Sequence, residues 1–342
     1  MMVVRPIKAD DYAALRELAR KTGPGFTSLQ DNDKQVAAKL ETALLAFTAN
    51  PAPKEALYLF VMEDTETKEV VGISGIYSAV GLTEPWYNYR VGTLVHASRE
   101  LKVYNKINTL TITNDHTGYS ELCTLFLSPD ARYGRNGALL SKSRFMFMAE
   151  FPKRFNEHLI AEMRGYSDEN GVSPFWEGLG RHFFSLDFAE ADKISSMDKV
   201  FIAELMPQNT IYTNLLPQAA QDAIGKTHEA TTPARKLLES EGMRYTGYID
   251  IFDGGPTLEC RTDDIRTIRK SDYVKVSIID DAPEGGLYMI STTDFNNFRC
   301  CLSAIELVGK HVIGLPQAVA DALNITEGTT VRIAPLSSGR RF

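Results

Sequence analysis

Little in this sequence invites a metal, a disulfide or a membrane. Its four cysteines, Cys123, Cys260, Cys300 and Cys301, show no CxxC spacing and have no histidine tract beside them. That excludes a zinc ribbon or a disulfide framework and fits scattered thiols. The histidines are equally dispersed: His158, His182 and His311 have no ligand spacing, so no metal is assigned. No apolar run reaches the roughly 18 residues of a transmembrane helix, and the opening MMVVRPIKADDY holds no apolar signal-peptide core. Basic residues are outnumbered 37 to 44, for a formal net charge of -7. This balance gives no support for a general nucleic-acid or anionic-membrane binder, although a local basic groove stays open. A cytoplasmic location is expected.

What the sequence does have is apolar content for a sizeable core, 44% of 342 residues, enough for two or three cores or one large one. Residues 3–7 read as a strand, and Asp10 or Asp11 as the N-cap of a helix with apolar Ala14, Leu15, Leu18 and Ala19. The KTGPGFTSL segment interrupts it. A second helix over 34–47 ends before a turn at 50–53. Residues 57–62 and 70–79 form a hairpin. The aromatic, amide-rich stretch 84–118 holds one or two strands and reads as an insertion able to line a site. A central strand over 121–127 (ELCTLFL) runs through RYGRNG into a helix over 138–151, followed by a strand at 159–163. Residues 170–184 are a loop and a short helix. The order is α+β, three-layered, and not a regular βαβ repeat.

Further on, 198–206 reads as a strand and 218–225 as a helix. Residues 231–242 read as a helix capped by Thr232, with Pro233 at N1 and Gly242 at C′. Strands at 245–252 and 256–260 flank the turn Asp253-Gly254-Gly255. Beyond about Ser271 come short β runs at 274–279, 287–290 and 331–333, with a helix at 316–323. They form either a small barrel-like module or the completion of a second core.

Four places could carry chemistry. The glycine-bearing turn with Arg132, Gly134, Arg135 and Gly137 precedes a helix, where backbone amides can cradle a pyrophosphate. It is equally an ordinary turn, and it is neither a Rossmann fingerprint nor a P-loop, since no GKS or GKT follows. Leu125 sits where a splayed strand can offer its N–H to an acyl carbonyl, or where its side chain simply fills the core. His228, in GKTHEATTP before a helix, is either a loop histidine or a neutral imidazole suited to proton transfer. His96 and His116, among Asn88, Arg90, Asn114 and Asp115, can orient a polar substrate or satisfy loop groups. Glu121, Glu162 and Asp253 can meet a cationic substrate or form salt bridges. Cys123 reads as a core thiol, and Cys300-Cys301 as packing.

From VVRPIKADDY through ELCTLFLSPDARYGRNGALL the chain resembles the GNAT acyltransferase superfamily, with Arg135 standing where members usually carry the first turn glycine. The segments PWYNYRVGTLVHAS, NDHTGYSELCTLFLSPD, LLSKSRFMFMAEF, AEMRG with SPFWEGLG, and YIDIFDGGPTLEC resemble the arginine N-succinyltransferase family. The likeness covers most of residues 1–270 and the tail more weakly. It implies tandem GNAT-like halves with mixed central sheets, 1–184 and 185–270. The β-rich segment 271–342 is either separate or completes the second half. It also implies an enzyme of arginine catabolism that turns succinyl-CoA and L-arginine into N2-succinyl-L-arginine and CoA, with no tightly bound cofactor and no metal. By the resemblance Leu125 contacts succinyl-CoA, His228 moves a proton, and Arg132, Gly134, Arg135 and Gly137 hold the CoA pyrophosphate. Asn114, His116 and Glu121 are carried as substrate-side candidates. A homodimer is compatible with this reading, and nucleic-acid or membrane partners are not expected. The alternatives are acylation of ornithine or another amine, and a non-enzymatic interaction module.

Overall fold

The computed structural model describes residues 1–22, 28–49, 56–188, 190–191 and 204–337. The chain opens with strand β1 (Met2–Pro6) and helices α1 (Tyr12–Thr22) and α2 (Asp33–Thr48), then the paired strands β2 (Leu57–Asp64) and β3 (Val70–Tyr77). A long hairpin, β4 (Asn88–Ser98) and β5 (Val103–Thr113), accounts for the expected insertion. Strand β6 (Ser120–Leu127), helix α3 (Asn136–Glu150), strand β7 (His158–Glu162) and helix α4 (Arg181–Phe184) follow. After β8 (Ile211–Tyr212) come α5 (Gln218–Ala223), α6 (Thr232–Glu241), β9 (Arg244–Ile249), β10 (Pro256–Arg261) and α7 (Arg266–Lys270). The tail contributes β11 (Asp272–Ile279), β12 (Tyr288–Ser291), β13 (Cys300–Ser303), β14 (Glu306–Gly309), β15 (Val312–Pro316), α8 (Gln317–Leu323) and β16 (Thr330–Pro335).

All these strands join one mixed sheet, ordered β14-β15-β11-β16-β12-β13-β1-β2-β3-β6-β7-β10-β9-β4-β5-β8. Only β6–β7 and β11–β15 run parallel. The expected second half therefore does not form a sheet of its own among the described residues. Its β10 bonds directly to β7 from Thr257↔Glu162 to Arg261↔His158, and β9 and β8 extend the same sheet. The physical reason is a shared core: Leu238, Met243 and Leu258 from this region pack with Phe60, Phe147 and Leu159. The tail has its own apolar cluster, including Val276, Ile290, Cys301, Ile313 and Val331. It is an open sheet, not a closed barrel, and joins the body where β13 pairs with β1 (Val3↔Cys301, Val4↔Cys300). Adjacent residues of a strand face opposite ways, so Cys300 enters the central core and Cys301 the tail core. Both thiols are packing groups, as expected.

Helix α3 is buried on all sides from Leu139 to Met148, the signature of a helix sandwiched within a core. Phe147 is its hub, 4.9 Å from Phe60 and 5.2 Å from Phe298 between ring centroids. Local expectations shift by a residue or two at the caps. A 3-10 turn, Ala9–Asp11, precedes α1, so Lys8 occupies the cap position and the Asp11 carboxylate accepts its N–H at 2.7 Å. Asp11 is drawn inward by Arg5, which donates to it at 2.8 and 2.9 Å. Thr231, not Thr232, is the N-cap of α6, and Gly242 closes it with a φ of 115°. Most of the expected strand at 198–206 and the turn at 50–53 lie outside the described residues; 204–206 are not strand.

Candidate active site

Strands β6 and β7 are paired only at Ser120↔Leu159 and Glu121↔Ile160, after which β6 continues to Leu127 without β7. The sheet thus opens into a V at its centre. On the other edge of β6 the register to β3 slips between Ile73↔Phe126 and Gly75↔Cys123, and Thr124 adopts a φ of 51°. This is a β-bulge, which takes residues out of the ladder and re-aims a peptide. Thr124 and Leu125 accordingly have no partner in either ladder. The Leu125 side chain packs on the central core while its peptide borders the opening, so the two readings of this residue are compatible.

Behind the bulge stands a group that sequence reasoning missed. Arg144 of α3 is fully buried and donates to the carbonyls of Gly75 and Cys123, both at 3.4 Å, and to Ser141. Burial pushes its pKa down to about 10. The available signal was its spacing: Leu140, Arg144 and Phe147 share one helix face, and an arginine on that apolar stripe needs an explanation.

Past Leu127 a 3-10 turn (Pro129–Ala131) and Gly134, with a φ of 57°, lead into α3. Arg135 is the N-cap and makes no side-chain cap bond; the Asn136 N–H turns back to Tyr133 O at 3.3 Å, and the next amides, Gly137 and Ala138, face the helix entrance. A Cβ on Gly134 would meet nothing within 4 Å, leaving the approach open. Arg132 braces the turn: its Nε donates to Leu127 O at 3.0 Å and its guanidinium lies over Phe126. Arg135 is exposed beside it.

The opposite wall is β7 and its extension. Beyond the last pair, Glu121↔Ile160, β6 runs through the bulge to Leu125 on one wall, and the chain after β7 runs to Arg164 on the other. His228 joins that wall, its backbone N–H donating to Arg164 O at 2.9 Å while Thr227 bridges Gly165. The Asp253 turn clamps the same segment. Its carboxylate accepts the N–H groups of Gly165 at 2.6 Å and Gly255 at 2.8 Å. Gly255 is required there because a Cβ would lie 2.1 Å from Met163 O.

The His228 ring accepts the Ala230 N–H at Nδ1, 3.1 Å, capping the 3-10 turn that feeds α6. Its neutral form therefore carries the ring proton on Nε2. Partial burial, then the Arg164 cation, hold its pKa below the ordinary imidazole value, against Glu229.

Across the sheet from this wall lies a polar row. Register puts Tyr77 opposite Glu121, Glu121 opposite Ile160, and Ile160 opposite Glu259, with Glu162 opposite Thr257 on the same face. The Asn88 amide donates to Glu162 Oε1 at 2.8 Å, so its Oδ1 accepts from His116 Nδ1 at 2.7 Å. His116 Nε2 meets Glu259, whose other oxygen accepts the Thr246 hydroxyl. Both ring nitrogens of His116 are thus engaged, Nδ1 by Asn88 and Nε2 by the Glu259 carboxyl. Burial alone would raise the Glu259 pKa; the bonds from His116 and Thr246 outweigh it and lower it. Tyr248 closes over the ring, 4.5 Å between centroids, and donates to Asp115 at 2.8 Å.

His116, a substrate-side candidate, is thus 1% exposed and reaches the row only through its neighbours. Asn114 spends its amide on Trp86 O at 2.6 Å, closing the turn after β5. Glu121 is buried in the row itself. His96 lies far out on the hairpin near Tyr212. Burial lifts the Cys123 thiol to about 11, which leaves it inert as a nucleophile. No cluster of metal-binding side chains occurs among the described residues.

An opened parallel strand pair, an unpaired bulge peptide and an uncapped helix after a glycine turn make this an acyltransferase of the CoA-dependent class. The chain belongs to the arginine N-succinyltransferase family. Residues 2–267 match the family described as arginine N-succinyltransferase beta subunit, and 273–335 match its C-terminal domain. The arginine N-succinyltransferase of Yersinia pseudotuberculosis is 51% identical over 344 residues, 98% of each chain. That of Escherichia coli O139:H28 is 52% identical over 340 residues, again 98% of each. The solved arginine/ornithine succinyltransferase subunit AI from Pseudomonas aeruginosa superposes with a TM-score of 0.91 at 36% identity, over 99% of both chains.

Proposed function

We propose that this chain transfers succinyl from succinyl-CoA to the α-amine of L-arginine, giving N2-succinyl-L-arginine and CoA. The observation that carries the reading is the strand pair opened beyond Glu121↔Ile160, with the Leu125 peptide on one wall and Arg164, bonded to His228, on the other. The thioester lodges in the V with its carbonyl oxygen toward the Leu125 N–H, and the CoA pyrophosphate rests on the amides of the Gly134–Gly137 turn. The arginine guanidinium stays protonated and serves as a handle, held by carboxylates of the polar row, Glu121 and Glu162. The α-amine attacks as the free base. As the tetrahedral intermediate collapses, the C–S bond breaks and the amine proton ends on the departing CoA sulfur.

His228 stands on the donor side of this transfer. Its Nδ1 lone pair is engaged by Ala230, so its Nε2–H is what it offers to the developing negative charge. With Nδ1 engaged by Ala230 and the ring proton on Nε2, the ring has no free lone pair to take the amine proton. A metal has no part in the reading.

One acyltransferase unit, residues 2–267, with an appended tail replaces the expected tandem halves in this proposal. Four free thiols, two of them adjacent, suit a reducing cytoplasm. A second copy is proposed to cover the β4–β5 hairpin. Beyond Arg90 and below Thr109 this ribbon pairs with no other strand among the described residues and exposes Leu94, Val95, Leu101, Val103 and Tyr104. A two-stranded ribbon alone is marginal in water, and sedimentation of the full chain tests the dimer.

The function is tested by identifying products from arginine, ornithine and lysine with succinyl-CoA and acetyl-CoA. N2-Succinyl-arginine as the main product is expected. CoA release without acylated amine would sink the proposal. Ornithine is the second acceptor to consider, because the solved relative is described as an arginine/ornithine succinyltransferase subunit.

A further inference from the structure

We propose that Arg164 reads the free carboxylate at the far end of the succinyl group, and so selects succinyl-CoA over acyl-CoAs that end in methyl. The inference rests on the transfer proposed above and adds to it the residue that chooses the donor. A succinyl thioester carries a full negative charge two methylenes from its reacting carbonyl. That charge cannot leave water for the V without a cation to receive it.

Three cations stand around His228. Arg235 is committed, donating to Glu239 at 2.8 Å and to Thr227 Oγ1 at 3.0 Å. Lys226 is stacked on Tyr166, its Nζ 3.6 Å from the ring centroid. Arg164 is partly buried and makes a single 3.4 Å side-chain bond, to Ser167 Oγ, with no carboxylate in ion-pair distance among the described residues. Its position is fixed by the backbone on both sides: its carbonyl accepts from His228, and the next residue is clamped by Asp253 and bridged by Thr227. It also lies on the wall of the V opposite Leu125, where the thioester carbonyl is placed. A guanidinium held there, with only Nη2 engaged, by Ser167 at 3.4 Å, has donors left to meet a carboxylate bidentately.

The test compares succinyl-CoA with butyryl-CoA, which has a methyl in place of the carboxylate, in the full-length enzyme with arginine as acceptor. Arg164→Met is expected to lower kcat/KM for succinyl-CoA about 100-fold and the succinyl-to-butyryl preference at least tenfold, the scale for losing a built charge-assisted contact. Arg164→Lys, which keeps the charge, recovers part of the preference and controls for folding. An equal fall with both donors, or an unchanged preference, overturns the assignment. If the wild-type enzyme transfers no succinyl group to any amine, the proposed function itself fails, a result separable from either.

Discussion

Arg144, fully buried on α3, donates to the carbonyl oxygen of Cys123 at 3.4 Å, one residue before the positive φ of Thr124. A buried cation without a carboxylate is costly to keep. Here it is held by three backbone carbonyls and a serine hydroxyl. The cation that supports the bulge belongs to the same helix whose first turn faces the proposed pyrophosphate. One element therefore sets both ends of the acyl-CoA site.

Arg144→Met retains much of the volume and removes the guanidinium's bonds to the Gly75 and Cys123 carbonyls. The bulge peptide then loses its support, and kcat is expected to fall about 100-fold, the scale for an oxyanion donor out of place. CoA affinity, set mainly by the turn, should change less than about threefold. Calorimetric CoA titration beside steady-state rates checks the split. Equal loss of binding and turnover would count against a role confined to the bulge.

The sequence showed much of this architecture and little of its wiring. Strand β6, helix α3 and the glycine turn were legible because each carries a local signature: an apolar run, a buried helical stripe and a cap. The joining of 244–261 to β7 was not, because strand partners depend on register between distant segments, and periodicity reports only a strand's faces. Leu125 and His228 were picked out through family motifs, and the fold puts them on opposite walls of the opened strand pair. Arg144 and Glu259 were not: their roles come from what faces them, Cys123 O in one case and His116 in the other. His116 was read as a substrate contact or a partner for loop polar groups, and the fold turns its ring inward onto Asn88 and Glu259.

The His228 pKa is lowered by burial and by the Arg164 cation. Protonation at Nδ1 would break the Ala230 bond that sets the ring, so turnover should fall as pH drops through an apparent pKa below 6.5, the ordinary imidazole value. Removing the nearby cation in Arg164→Met should move that limb upward. His228→Ala should keep CoA binding and lose roughly two to four decades of kcat. A pH–rate profile of kcat at saturating substrates measures the limb. A midpoint above 6.5 in the wild type would exclude His228 as its source.

Glu259 is held below the usual carboxylate range in the folded protein. The unfolded chain then binds the proton more readily. The contribution is fully present above 4.5, the ordinary glutamate value, and is lost as pH falls through the lower folded value. Glu259→Gln should flatten that acid limb of stability and raise the KM for arginine, since His116 and Asn88 no longer hold Glu162 in place. Thermal unfolding across pH, paired with arginine saturation curves, reads both effects. Unchanged KM with a flattened limb would make the pair structural only.

Gly255 tests whether His228 is held by the wall and not by its own loop. A Cβ at this position would sit 2.1 Å from Met163 O and 2.6 Å from Gly165 N, both backbone atoms that cannot swing aside. Gly255→Ala must therefore push the 163–165 segment away from the Asp253 turn, carrying Arg164 O and the His228 N–H with it. Overpacking of this kind costs about 1–3 kcal/mol, and a shift of the donor by a fraction of an ångström is expected to lower kcat about tenfold or more at saturating CoA. Gly286→Ala is the matched control, since a Cβ there meets nothing within 4 Å. Chemical denaturation and kcat are measured on both variants. Loss of stability with wild-type kcat in Gly255→Ala would show that the imidazole keeps its place without the clamp, leaving the Ala230 bond as its anchor.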